Sequence, residues 1–249
     1  MNIAVFTSNH PRHIAFLNTL ARIPLANIRA VIECTPLYPK WGSEVKERYF
    51  ARMQSAEHTL FGGHHFINRE VEVFPVVMGD LERRPMEIVD LLREGRTASG
   101  YATMQQPDIA LVFGASFIRG ALLDYLKDLN AVNIHMGMSP YYRGADCNFW
   151  AMYDGNPQYV GATIHRLSEK LDGGDVLFTV RPPPHPDPWL YTMGAVMAAH
   201  EAVRDAIRSG LDHFPTVPQD STLQIRYSRA SDFTDEVVRQ YLAKKGVIE

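Results

Sequence analysis

An amide, an imidazole and a carboxylate follow one another along this chain, each beside turn-forming Gly or Pro. Asn133 and His135 end the strand-like run 131–134. Ser139-Pro140-Tyr141-Tyr142-Arg143-Gly144 comes next, and further on Leu171-Asp172-Gly173-Gly174-Asp175. Side chains two apart on a strand face the same way, so Asn133 and His135 can share one pocket. A carboxamide can donate to an oxygen that gains charge as a carbonyl turns tetrahedral, a role worth roughly 3–4 kcal/mol. An imidazole near neutral pH can take a proton from an attacking amine or stabilise charge as imidazolium. Asp172 can orient and charge-balance that ring, or relay a proton through water. No Ser or Cys stands inside the motif as a nucleophile, and Cys147 has no partner visible in the sequence. The set points to direct acyl-type transfer between bound molecules, without a covalent enzyme intermediate.

The elements that must hold these residues alternate. Strands are expected at 3–7, 28–33, 71–77, 109–113, 131–134, 160–167 and 176–180. Helices are expected at 11–23, 43–61, 84–93, 118–126 and 191–208. The tail carries a strand-like 223–227 and a helix at 232–244. Strand-helix-strand spacing at the start implies a parallel sheet, and the whole series implies a doubly wound, mostly parallel α/β fold. Ligands in such folds sit at the carboxyl ends of the strands, where the loop after Phe113 and the Asn133–His135 pair both fall. The proline-dense run 182–188 reads as a rigid connector, which divides the chain into a catalytic domain at 1–181 and an extension at 182–249 packed on it. Ser8 or Asn9 is expected to cap the first helix.

The 249 residues are 46% apolar and 21% charged, with a net charge of -3. That is enough to bury a full core and gives no sign of a general nucleic-acid or membrane-surface binder. The N-terminus lacks a signal-peptide pattern, and no apolar run has membrane-spanning length. The two cysteines, Cys34 and Cys147, supply neither a disulfide framework nor metal-ligand spacing; a reduced, cytoplasmic setting suits them. His64-His65 has no acidic or Cys partner spaced for a metal, and a solvated loop is the reading there; no metal is expected. His165, inside a strand, reads as packed or surface. His10 and Arg12 lie where a phosphate could meet a helix N-terminus, with Asn9 beside them.

The stretch from 107 to about 180 resembles the formyltransferase family that uses N10-formyltetrahydrofolate. Asn133/His135, Pro140 to Gly144 and Leu171 to Gly174 match the family's Asn-x-His, its Pro-x-Tyr-Arg-Gly-like loop and its Leu-Asp-x-Gly loop, and the spacing from Arg143-Gly144 to Trp150-Ala151 to Gly161-Ala162-Thr163-Ile164 agrees. The resemblance implies that Asn133 polarises the formyl oxygen, His135 acts as base or charge stabiliser, and Asp172 assists it. It implies that the pterin of the co-substrate lies against Phe113, Gly114, Ala115, Ser116, Phe117 and Ile118, and against Ser168, Lys170 and Leu171. Many members have Pro-Ser-Leu-Leu after the histidine; here Met136-Gly137-Met138-Ser139 stands instead, and that departure bears on the acceptor.

Acceptor contacts are therefore expected from Asn9, His10, Arg12, Met136, Gly137, Ser139, Tyr142, Arg143 and Tyr227, with Arg143 either holding its loop or binding an anion. The tail 226–234 looks similar to tails in amino-sugar formyltransferases, so the preferred acceptor is a small-molecule amine on a nucleotide-linked amino deoxysugar, as in lipopolysaccharide O-antigen synthesis. Hydroxyornithine or glycinamide ribonucleotide, hydrolysis of formyltetrahydrofolate, and a non-catalytic folate- or nucleotide-binding module are the alternatives. A homodimer is compatible with the sequence, and no nucleic-acid partner is expected.

Overall fold

Alternation along the first strands decides the layers. The computed structural model describes residues 1–37, 39–63, 67–94 and 106–248, so His64 and His65 lie outside the described residues. In β1 (Asn2–Ser8), Ile3 and Val5 face one core while Ala4 and Phe6 face another. A strand buried on both faces reads as a continuous apolar run and needs helices on either side.

β2 (Asn27–Cys34) and β3 (Val71–Val77) extend the sheet on one side of β1, all parallel. β4 (Ile109–Val112) and β5 (Val132–His135) extend it on the other, also parallel. β6 (Tyr142–Gly144) leaves this sheet, and β7 (Ala162–Arg166) and β8 (Val176–Val180) complete it antiparallel. The order is β3-β2-β1-β4-β5-β7-β8, the doubly wound arrangement expected. Its switch point lies between β1 and β4, where the connections depart in opposite directions and open a crevice.

Helices α1 (Pro11–Leu20), α2 (Glu44–Phe61), α3 (Asp80–Arg83), α4 (Pro85–Glu94), α5 (Gly120–Asp128), α6 (Cys147–Tyr153), α7 (Pro188–Arg208) and α8 (Asp235–Lys244) cover it. α1 and α7 bury Phe16, Leu17, Ala195 and Ala199 in one core; α4 and α5 bury Ile88, Leu92, Leu122 and Leu126 in the other. β9 (Arg226–Ser228) brings the tail back alongside β6, in parallel.

Several boundaries differ from the sequence expectation for local reasons. α1 ends at Leu20, not 23, because Ile23 precedes Pro24 and is pushed out of helical geometry. Neither Ser8 nor Asn9 caps it: His10 holds the N-cap position without a side-chain bond, and Asn9 is tied to Thr35. The free end of α1 is met from outside, where the Arg12 N–H donates to Glu57 at 3.2 Å. Residues 84–93 are preceded by the separate turn α3, with Pro85 opening α4. The last helix starts at Asp235, behind the Thr234 cap, because Asp232 accepts from the Arg229 N–H and closes its own short turn. The tail strand is confined to β9, since residues 221–223 form a turn capped by Asp220.

Candidate active site

β5 presents Asn133 and His135 on one face because Val132 and Ile134 turn into the core on the other. Both line a cleft of about 690 Å³ at the carboxyl ends of β1, β4 and β5. The loop after β4 forms one wall, with Phe113, Gly114, Ala115, Ser116, Phe117 and Ile118; Ser168, Lys170, Leu171 and Asp172 form the other. Glu33, buried at the end of β2, sets the first wall by accepting from Ser116 Oγ at 2.6 Å, from the Ser116 N–H, and from the Gly79 N–H at 2.9 Å.

Asp172 sits in the left-handed region at φ 49°, a strained conformation for a residue with a side chain. Contacts from far along the chain hold it there. Gln219 Nε2 donates to the Asp172 and Gly174 carbonyls at 2.8 Å each, and Arg143 donates to the Leu171 carbonyl at 2.7 Å. So placed, Asp172 Oδ1 stands 3.3 Å from His135 Nδ1, and Oδ2 accepts from the Gly144 N–H at 3.3 Å. Gly144 is at φ 92°, and a Cβ there would lie 2.0 Å from the Ser228 carbonyl, so only glycine lets β9 close against the site.

A second cavity of about 380 Å³ lies beyond the His135 ring. It shares His10, Arg12, Trp41, His135, Met136 and Gly144 with the first, and adds Asp146, Asn148, Phe149 and Phe50. Trp41 stacks on Phe50 at 3.5 Å between ring centroids. The two spaces therefore meet at the imidazole.

Electrostatics separates the two histidines. Burial opposes charge on His135, but Cys147 and Asp172 outweigh it and hold the imidazole up at about 10. Burial pushes the Asp172 carboxyl up, yet His135, His165 and the Gly144 N–H win and leave it below the ordinary carboxylate range. The two shifts agree on an ion pair. His165 goes the other way: burial, helped by the charge on His135 and opposed by the Arg166 carbonyl, holds it down at about 4. A neutral His165 has one ring proton. Its Nδ1 faces the Arg166 carbonyl at 2.8 Å and takes that proton, so Nε2 accepts from Asn133 Nδ2 at 3.0 Å. This bond orients the Asn133 amide and leaves its second N–H for a ligand.

From sequence His165 reads as packed or surface. The structure makes it the cross-strand partner of Asn133, the pairing that the antiparallel register of β5 and β7 dictates. His165→Phe should lower kcat by up to about 10²-fold through misplacement of the amide, with little change in KM for the cleft-bound donor. His165→Gln should recover part of the loss. An unchanged kcat in His165→Phe would remove this role.

The substrate-side expectations divide. His10, Arg12 and Met136 line both spaces, although Arg12 is engaged by Glu57 at 2.8 Å. Asn9, Gly137, Ser139, Tyr142, Arg143 and Tyr227 line neither. Asn9 is tied to Thr35. The Ser139 N–H donates to Thr163 at 2.8 Å. Tyr142 is fully buried, and its hydroxyl donates to Asp154 at 3.2 Å, away from the cleft. Arg143 holds its loop. Tyr227 is 45% exposed on β9. Trp41, Glu33, Gln219 and Cys147 were not anticipated at the site. The facing of Trp41 and Gln219 has no local sequence signal. Among the described residues no group of three or more His, Cys, Asp or Glu could hold a metal ion, and no helix is long and apolar enough to cross a membrane.

Fold and site define a doubly wound α/β protein whose amide, imidazole and carboxylate meet where two ligand spaces join, an arrangement suited to acyl-type transfer. Residues 93–203, the segment that carries Asn133, His135 and Asp172, match the model of the formyl transferase family. A methionyl-tRNA formyltransferase of Halalkalibacterium halodurans is 38% identical over 80 residues, 31% of this chain and 24% of that protein. The chain thus matches about a quarter of that relative's length. A 4-N formyltransferase from Francisella tularensis has a TM-score of 0.58 and 16% identity, covering 97% of this chain and 86% of that one. An N-formyltransferase from Helicobacter canadensis, solved with folinic acid and dTDP-3-aminofucose, has a TM-score of 0.57 and 11% identity over 99% and 82% of the two chains. These two likenesses show that the fold is shared.

Proposed function

We propose that this protein is an N-formyltransferase that moves the formyl group of N10-formyltetrahydrofolate to a primary amine on a nucleotide-linked amino deoxysugar. The observation that carries the reading is the junction of two cavities at His135, with Asn133 and Asp172 beside it. A reaction that needs two bound substrates and no covalent intermediate needs such a junction. The larger cleft, between the 113–118 and 168–172 walls, takes the pterin. The second cavity takes the amine.

The chemistry follows from the charge states. The free N–H of Asn133 and the charged His135 face the formyl oxygen and stabilise it as the amine adds to the formyl carbon. His135 already holds its proton at neutral pH, so the proton lost by the amine goes to the Asp172 carboxylate, directly or through water. The tetrahedral adduct then collapses: N10 takes up the proton that Asp172 received, the bond between N10 and the formyl carbon breaks, and tetrahydrofolate and the formamide leave.

The solved relative with dTDP-3-aminofucose supports the sugar-nucleotide acceptor. The sequence relatives favour a second reading, methionyl-tRNA. One assay separates them. Tetrahydrofolate release from N10-formyltetrahydrofolate is followed alone, with a panel of amino-sugar nucleotides, with glycinamide ribonucleotide and hydroxyornithine, and with methionyl-tRNA. Release that depends on an amino-sugar nucleotide is expected. Release that needs no amine would make the protein a hydrolase, release only with methionyl-tRNA would replace the acceptor, and no release in any arm would leave a binding module.

A further inference from the structure

We propose that Asp146 is the residue that receives the acceptor's amine: its carboxylate binds the ammonium in the second cavity and takes the first of the two protons that the nitrogen must lose. The proton step rests on the formyl-transfer reading; the ammonium subsite does not.

The two carboxylates of the site divide between the two spaces. Asp172 lines the larger cleft, Asp146 lines the second cavity, and His135 lines both. Gly144 links them along the chain: its N–H donates to Asp172 Oδ2 at 3.3 Å, and Asp146 follows two residues on. β9 fixes the residue between. The Ala145 N–H donates to the Ser228 carbonyl at 2.9 Å, and Ser228 Oγ donates to the Ala145 carbonyl at 2.5 Å.

Asp146 stands where an aspartate ordinarily serves its own helix. It holds the N-cap position of α6, where a carboxylate usually accepts from the backbone N–H groups of the first turn. Here the backbone is left-handed, at φ 56° and ψ 33°, and the side chain makes no capping bond. The Asp146 carbonyl still accepts from the Trp150 N–H at 3.0 Å, so the helix starts without help from the carboxylate. Among the described residues that carboxylate has no hydrogen-bond or ion-pair partner, and it opens to the cavity. Arg12 lines the same cavity but is taken by Glu57 at 2.8 Å. Phe50, Met53, Phe149 and Met193 make much of the wall. They withdraw Asp146 from bulk water and push its carboxyl above the ordinary aspartate range, which makes it a stronger base. A carboxylate in such walls gains most from a ligand that brings the opposite charge.

The other titratable groups that line the cavity are His10, Tyr49, His135 and the Arg12–Glu57 pair. Burial and Arg12 hold His10 below its ordinary value, and burial holds Tyr49 well above its own. Neither carries negative charge at neutral pH. Asp146 is therefore the free negative charge of this space.

A primary amine is an ammonium at neutral pH and has no lone pair to give. Bound at Asp146 it transfers one proton: an N–H bond breaks, an O–H bond forms, and two opposite charges cancel. The charged His135 on the same cavity opposes a second cation and so favours this transfer. The neutral amine then adds to the formyl carbon, and its second proton goes to Asp172 and on to N10. Asp146 returns the first proton to water when the products leave.

The test pairs ligands that differ only at the amine. A dTDP-linked amino deoxysugar and its hydroxyl counterpart are titrated calorimetrically into the wild type and Asp146→Asn, without folate. Asparagine keeps the shape and tolerates a left-handed backbone. The wild type should bind the amine roughly 10–10²-fold more tightly than the alcohol. Asp146→Asn should bind both alike, with affinity for the alcohol unchanged. Its kcat/KM for the acceptor should fall about 10²-fold at neutral pH. That deficit should shrink as pH rises to the point where the free amine loses its own proton. Equal losses for amine and alcohol, or a deficit that does not change with pH, would overturn the proposal. If these sugars do not bind, or the variant does not fold, the wild type decides. The Asp146 carboxyl ¹³C resonance is followed against methylammonium chloride, with sodium chloride as control. A saturable shift with methylammonium alone is expected, and its absence would overturn the subsite. That shift, with no formyl transfer to any amine, would sink the formyl-transfer reading and leave the subsite standing.

Discussion

His135→Asn is expected to lower formyl transfer by roughly 10²–10⁴-fold, with KM for the folate donor little changed. Asparagine is similar in reach and polar, so the walls built by 113–118 and 168–172 keep their shape. What disappears is the positive charge held against Asp172 at the junction of the two cavities. Steady-state tetrahydrofolate release, with the acceptor found in the panel, measures the loss. A rate near that of the wild type would take His135 out of the mechanism. The same substitution has a signature in stability. The folded-state value of about 10 lies above the ordinary 6.5, so the stabilisation from His135 is full below about 6.5 and is lost as pH rises through about 10. Thermal melts of the wild type should therefore fall across that window by more than those of His135→Asn.

Asp172→Ala is expected to be at least as damaging, because it strands a charged ring that is only 7% exposed. Breaking a buried ion pair from one side costs about 3–5 kcal/mol, and turnover should drop by orders of magnitude along with the melting temperature. Asp172→Asn keeps the shape and isolates the charge: it should fold better than the alanine variant yet remain slow. The pH sign is the reverse of that for His135. The Asp172 carboxyl lies below its ordinary value in the folded protein, so its stabilisation is present above about 3.8 and is lost as pH falls through the folded value. Acid unfolding of the wild type should show that loss, and Asp172→Asn should lack it. A normal rate in either variant would exclude Asp172 from proton handling.

The parts of the site legible beforehand depend on contacts close in sequence. Alternation along one strand puts Asn133 and His135 on one face whatever the strand pairs with. Strand-helix succession puts the loop after β4, 113–118, at the carboxyl edge of the sheet. The misplaced residues failed for the opposite reason. Tyr142 has the composition of a ligand-stacking residue, but its direction is set by Asp154 and Asn156. Asn9 looks like a cap until Thr35 is seen to occupy it. His165 gained its role only when β7 was registered antiparallel to β5.

The sequence by itself determined the layers of the fold, the pair on β5 and the order amide, imidazole, carboxylate, because these follow from periodicity and chain direction. Tertiary structure alone decided which charges those groups carry. The His135 charge depends on the Asp172 carboxylate that another loop brings against its Nδ1; the direction of Asp172 depends on Gln219, 47 residues away. Burial and ion pairing are sums over neighbours in space, and no local pattern in the chain encodes them.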